Sequence, residues 1–155
     1  MLSGESIEWI IKDIIRETSD ANTYILNPVH PQPFTYKAGQ FLTLIFNRNH
    51  REIRRSFSFS STPGVDDEIA ITVKRVHNGE ISRLLLDNYK TGDSVHALEP
   101  AGKFTLPENV DLHRTIFLMA AGSGITPVYS LLKQLLYQTK LPDVLLLYQN
   151  HTVEG

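Results

Sequence analysis

Near Pro107 the hydrophobic pattern of the chain changes period, and that change limits the folds open to it. Upstream, residues 41–46, 53–60, 69–76 and 93–98 are short apolar or alternating runs. Turn-rich clusters separate them: Asn47-Arg48-Asn49, Thr62-Pro63-Gly64-Val65-Asp66-Asp67 and Thr91-Gly92-Asp93. Short strands punctuated this way predict an antiparallel barrel, with Ile69, Ile71 and Val73 alternating inward. Downstream, Thr115-Ile116-Phe117-Leu118-Met119-Ala120-Ala121 is one continuous apolar run, the pattern of a parallel strand covered on both faces. A glycine-rich turn follows, then Val128, Leu131, Leu132, Leu135 and Leu136 at helical spacing. Thr126 is the expected N-cap and Pro127 the first helical residue. Leu141-Pro142-Asp143 ends that unit, and residues 144–148 read as a second buried strand. The expected fold class is all-β antiparallel, a Greek-key barrel over 1–109, followed by a partial α/β (βαβ) unit over 114–155.

Residues 54–61, Arg-Arg-Ser-Phe-Ser-Phe-Ser-Ser, are the most informative stretch for chemistry. The alternation argues a half-buried strand with Phe57 and Phe59 on one face and Ser56, Ser58 and Ser60 on the other. Arg55 sets a fixed cation beside aromatic rings and a row of hydroxyls. Such a strand can hold a planar heterocycle and its phosphate. An edge strand with a solvated serine face and packed phenylalanines is the competing reading, and core packing is favoured for Phe59. Ile81, Leu84, Leu85 and Tyr89 fall on one face of a short helix just past Asn78-Gly79. Backbone N–H groups at such a helix start favour an anion, and Gly79 and Ser82 lie there.

Gly122-Ser123-Gly124 follows a buried strand and opens a helix, the context in which glycines let backbone approach a pyrophosphate. It is not a nucleophile elbow, because Ala121 and Ile125 stand where the outer glycines belong. It is not a P-loop, because no Gly-Lys-Ser/Thr follows. Residues 7–15 stay ambiguous on pattern alone. Ile7, Ile10, Ile11, Ile14 and Ile15 fit an amphipathic helix, while β-branching and Trp9 favour a strand.

Four segments together resemble the ferredoxin–NADP reductase superfamily, most closely the reductase components of multicomponent oxygenases. Arg55-Ser56-Phe57-Ser58 resembles the Arg-x-Tyr-Ser flavin motif. Tyr36-Lys37-Ala38-Gly39-Gln40-Phe41 resembles the turn ahead of the flavin strand. Gly79-Glu80-Ile81-Ser82 resembles the flavin pyrophosphate loop, and Gly122-Ser123-Gly124-Ile125-Thr126-Pro127 the nicotinamide-nucleotide loop. The resemblance implies a flavin-binding barrel and assigns residues 7–15 to its first strand. It implies that Arg55 binds the flavin diphosphate, that Phe57 packs on the isoalloxazine without the usual phenol oxygen, and that Ser58 reaches the nitrogen accepting hydride. Ser56 belongs to the same motif. Lys74 and Val76 lie where the family supplies backbone contacts, and Gly79, Ile81 and Ser82 form a second phosphate clamp, which favours FAD over FMN. Gly122 and Gly124 would receive a nicotinamide nucleotide, with Thr126 near its ring. Gln149-Asn150-His151-Thr152 stands where relatives often carry an arginine, so NADH is slightly favoured over NADPH. Ser58 and Thr126 are the candidate catalytic residues.

The implied activity is hydride transfer from NAD(P)H to FAD, with electrons passed to an acceptor protein or separate redox domain. A flavin-binding or assembly fragment without turnover is the alternative. The family pattern continues past what these 155 residues hold, so a truncated nucleotide domain is expected, with homodimerisation through 114–155 covering its apolar strands. There are no cysteines, hence no thiolate-bound iron–sulfur cluster within these residues. The six histidines show no ligand spacing, and no metal site is expected. A net charge of −2 gives no reason to expect nucleic acid. No run of 18 apolar residues suggests a membrane span, and the N-terminus lacks signal-peptide order, so the expected location is cytoplasmic.

Overall fold

The computed structural model describes residues 6–30, 34–112, 114–138, 140 and 142–150. Six antiparallel strands make the first unit: β1 (Ile7–Arg16), β2 (Ala21–Pro28), β3 (Phe41–Arg48), β4 (Arg51–Ser58), β5 (Ile69–Lys74) and β6 (Ser94–Ala97). Their order is β4-β3-β6-β1-β2-β5. An isolated bridge between Phe59 and Ile71 joins the two ends of that order and closes the barrel. The jumps from β2 to β5 and from β3 to β6 are the Greek-key connections.

β1 resolves the ambiguity of residues 7–15 in favour of strand. It pairs with β2 on one side and β6 on the other, and its register with β2 shifts between Ile11 and Asp13. Trp9 and Ile11 face the core before that bulge, and Ile14 packs on it after, while Ile10 and Ile15 are exposed. The extra residue turns a two-residue period into a false helical one. The hairpin between β3 and β4 also differs from expectation. Its turn is Asn49-His50, both at positive φ (50° and 60°), one residue later than the expected cluster. Two such residues match the twist of the flanking strands.

The barrel core contains Trp9, Ile11, Tyr24, Leu26, Leu42, Leu44, Phe59, Ile71 and Val73. Phe59 is fully buried, stacked on Tyr36 with ring centroids 4.1 Å apart. Helix α1 (Glu80–Asn88) follows β5 and sends Ile81 and Leu85 into the same core. The turn before β3 is fixed by sterics. Gly39 has φ +87°, and a Cβ there would lie 1.9 Å from the Phe104 carbonyl oxygen. Gln40 Nε2 donates to the Gly102 carbonyl at 3.2 Å and tethers the same loop.

The second unit is one βαβ crossover: β7 (Thr115–Ala121), helix α2 (Ile125–Leu136) and β8 (Asp143–Gln149), with β7 and β8 parallel. Val128 and Leu135 of α2 pack with Leu118 and Val110. The expectation of strands buried on both faces is corrected here. Phe117, Met119, Leu145 and Leu147 are 55–72% exposed. A single crossover helix covers one face of a sheet and leaves the other open. The helix start is corrected too. A 3-10 turn at Gly122–Gly124 runs straight into α2, so Gly124 is the N-cap and Pro127 the third residue. Pro127 costs nothing there, because the first four helical N–H groups have no internal partner. Among the described residues no helix is long and apolar enough to cross a membrane.

The units meet through α2. Ser130 is fully buried, its Oγ donating to the Ser61 carbonyl at 2.7 Å, and Thr62 Oγ1 donates to the Ser130 carbonyl at 3.0 Å. Lys133 pairs with Asp66 beside them.

Phe59 and Phe57 separate core from cavity, and denaturant unfolding reads the difference. Phe59→Ala is expected to cost about 3–5 kcal/mol, and Phe57→Ala, at a half-buried position, under about half of that. Equal costs would contradict the assignment.

Candidate functional site

β4 and β5 are neighbours at the Phe59–Ile71 bridge and form no ladder beyond it. A cavity of about 650 Å³ occupies the seam. Arg55, Ser56, Phe57 and Ser58 line it from β4, and Thr72 and Lys74 from β5. Val76, Gly79, Ile81 and Ser82 line it from the loop and start of α1, and Gly124 and Thr126 from α2. All the residues singled out in the sequence converge there except Gly122, which is not on the wall. Gly122 has φ +51°, and its carbonyl accepts the Tyr148 hydroxyl at 3.2 Å.

The register of β4 on β3 sorts the arginines. Ile53, Arg55 and Phe57 lie opposite Phe46, Leu44 and Leu42, all core residues, so the three share the inward face at its open end. Arg54 faces the other way, and its Nε donates to Glu52 Oε1 at 2.6 Å. Arg55 has no carboxylate partner among the described residues; its Nη1 donates to the Arg54 carbonyl at 2.7 Å. Ser56 is on the opposite face from Phe57, its hydroxyl 2.9 Å from that of Thr43. Lys74 stands 4.0 Å from Asp20 and remains one-quarter exposed.

At α1 the loop is drawn tight. The Val76 N–H donates to Ser82 Oγ at 3.1 Å, and Ser82 Oγ donates weakly to the Gly79 carbonyl at 3.4 Å. The Ser82 hydroxyl therefore organises the turn, and the donors left for an anion are backbone amides of the first helical turn. The Ile81 side chain is a core member as well as a neighbour of the cavity. A Cβ on Gly79 would lie 2.5 Å from Ser82 Oγ and 2.7 Å from Val76 Cβ. Glycine is required here by close approach, since its φ of −77° is ordinary. Thr126 is buried, with its hydroxyl donating to the Ser123 carbonyl at 3.0 Å.

Thr72, Glu80, Ser123 and Pro127 also line the cavity and were not singled out. Thr72 was accessible from the sequence: if Ile71 and Val73 point inward, Thr72 points out beside Lys74. His151 and Thr152, which bear on the nucleotide preference, lie outside the described residues; Gln149 and Asn150 close the end of β8. No group of three metal-ligating side chains gathers among the described residues.

A cavity that joins an unpaired arginine, an aromatic ring, a glycine-tightened helix start and a second glycine turn suits a phosphate-bearing planar cofactor. These features define a flavin-binding barrel with a nucleotide-type turn beside it. Residues 9–106 match the oxidoreductase FAD-binding domain family, and the chain belongs to that family. It is 35% identical over 155 residues to the ferredoxin reductase component of 3-ketosteroid-9-alpha-monooxygenase from Mycolicibacterium smegmatis, covering 96% of this chain and 43% of the relative. The component of the same name from Rhodococcus rhodochrous is 38% identical over 150 residues, covering 95% and 42%. Among solved structures, phthalate dioxygenase reductase, described as a modular structure for electron transfer from pyridine nucleotides to 2Fe-2S, superposes with a TM-score of 0.81 at 27% identity. That match covers 97% of this chain and 45% of that one. The chain thus spans about two-fifths of the length of the curated relatives it matches.

The end of β5 is pinned to α1 by an ion pair. Arg75 Nη1 and Nη2 donate to Asp87 Oδ2 and Oδ1 at 3.0 and 2.5 Å. The hydrogen bonds from Arg75 hold the Asp87 carboxyl below its ordinary range. A lowered folded value means stability present above the unfolded value and lost as pH falls through the folded one. Asp87→Asn is therefore expected to lower the melting temperature slightly near neutral pH, with the difference closing below about pH 4. A difference that persisted at lower pH would mean the pair is not its source.

Proposed function

We propose that this chain is the flavin-binding part of a ferredoxin reductase-type oxidoreductase that takes hydride from NAD(P)H and passes electrons to an acceptor protein or redox domain. The observation that carries the reading is the single cavity that the three glycine- and arginine-bearing segments share. When bound, FAD supplies the hydride acceptor and releases electrons onward. Arg55 holds a diphosphate oxygen through a charge-assisted hydrogen bond, and the first-turn amides of α1 hold the other phosphate. Phe57 covers a ring face, Ser58 offers its hydroxyl to the ring edge, and Lys74 and Val76 add contacts from the end of β5. Gly124 lets a nucleotide approach α2, and Thr126 closes the cavity at the nicotinamide side. The domain division at 1–109 and 114–155 belongs to this reading. NADH is preferred in it, supported by the uncharged Gln149 and Asn150 at the end of β8. Self-association through 114–155 is supported by the exposed apolar row on β7 and β8.

The purified or reconstituted chain is expected to be yellow, and heat release with chromatography to identify FAD. Arg55→Ala should weaken FAD binding by ten- to a hundredfold, about 1.5–3 kcal/mol, and Arg54→Ala far less because Arg54 serves Glu52. Comparable losses in a fluorescence titration would sink the assignment of Arg55 to the phosphate.

A second reading, a flavin-binding unit without turnover of its own, is favoured by the β7–β8 sheet having two strands among the described residues. Hydride transfer needs the nicotinamide held in near-attack geometry. Anaerobic mixing with NADH or NADPH is expected to bleach the flavin band slowly. Rapid bleaching by either nucleotide would show that these residues suffice.

A further inference from the structure

A second cavity, of about 480 Å³, lies between the outward face of β2 and β5 and helix α2. Its volume is in the range of small-molecule sites. It shares only Thr72 and Thr126 with the cavity between β4 and β5. Both hydroxyls are engaged by protein groups: Thr72 Oγ1 lies 2.7 Å from Thr23 Oγ1, and Thr126 donates to the Ser123 carbonyl. The two threonines form a partition, and the space beyond it has a chemistry of its own. Three carboxylates and one ammonium line it: Glu17, Asp66, Glu68 and Lys133. Two of the acids are answered. Lys133 pairs with Asp66, and Lys12 pairs with Glu68. Glu17 is not. Its Oε1 accepts the neutral Thr23 hydroxyl at 2.7 Å, and no cation stands against it among the described residues. The adjacent Arg16 turns its Nε to the Thr18 carbonyl.

Ile25, Ala70, Ile125 and the half-exposed ring of Tyr129 supply apolar walls. Ser60 adds a buried hydroxyl with no hydrogen-bond partner among the described residues, and such a group is costly to leave unpaired. We infer that this cavity binds a small organic cation: a primary ammonium that donates to Glu17, carried on an apolar body that those four residues enclose. An anion is disfavoured, because the one ammonium on the wall is spent on Asp66. A neutral occupant leaves the Glu17 charge unanswered beside apolar surface. The bound cation touches β2 and β5 on one side and α2 on the other, so it bridges the two units. The site is independent of the flavin reading.

The test uses three indoles of matched size and different charge: tryptamine, an ammonium; tryptophol, a neutral alcohol; and indole-3-acetate, a carboxylate. Each is titrated into the whole chain by calorimetry, and thermal melting checks that every variant is folded. Tryptamine should bind about five- to tenfold more tightly than tryptophol, and indole-3-acetate more weakly than either. Glu17→Gln keeps an acceptor for Thr23 and should bring the ratio of tryptamine to tryptophol affinity close to one. Glu68→Gln removes an acid already paired with Lys12 and should leave the ratio within about twofold of the wild type. An equal loss in both variants would mean a diffuse negative field in place of a site at Glu17. Tyr129→Ala should weaken tryptamine and tryptophol alike. Saturating FAD should leave tryptamine binding unchanged; competition would place the amine between β4 and β5 and overturn the inference. Equal binding of the three indoles, a ratio untouched by Glu17→Gln, or no tryptamine binding at millimolar concentration would overturn it as well.

Discussion

The architecture depends on how the barrel is closed. Six strands make a continuous antiparallel sheet from β4 to β5, and one bridge, Phe59 to Ile71, joins its ends. Phe59 can serve as that closure because its ring fills the interior against Tyr36. On one side of the bridge, Ser61 and Thr62 leave the barrel to meet Ser130 of α2. On the other, β4 and β5 run without a ladder, and their unpaired faces become the walls of the cavity. A fully laddered barrel of this size would have filled the seam with its own side chains.

Phe57 and Phe59, identical in type and two residues apart, show how closure divides labour along one strand. Alternation places them on the same face, and nothing in the residues themselves separates them. Their different burial comes from Ile71 and Tyr36, which are distant in sequence. Local pattern supplies facing, and tertiary contact supplies depth.

Much of this was legible in the sequence for identifiable reasons. Period-two runs separated by glycine and proline clusters marked the barrel strands, and the continuous run at 115–121 marked the crossover unit. The convergence of Arg55, Gly79 and Gly124 on one cavity came from a resemblance across four segments. The β1 pattern misled because a bulge mimics a helical period. Thr126 misled as an N-cap because a 3-10 turn ahead of α2 moved the helix start to Gly124. The contact between Thr23 and Thr72 could not have been read at all: it depends on the β2–β5 register, which aligns the two across 49 residues of sequence.

The anchoring of α2 has a consequence for how the chain breathes. Ser130 ties the middle of that helix to the barrel through two buried hydrogen bonds, whereas among the described residues β8 pairs only with β7 and lies largely exposed. Local opening follows the least buried element. Amide exchange should therefore release β8 first, then β7, while α2 retains protection close to that of the barrel. The glycine turn at Gly122–Gly124 sits at the junction of those regimes, one end leashed to the slow unit and the other to the fast one.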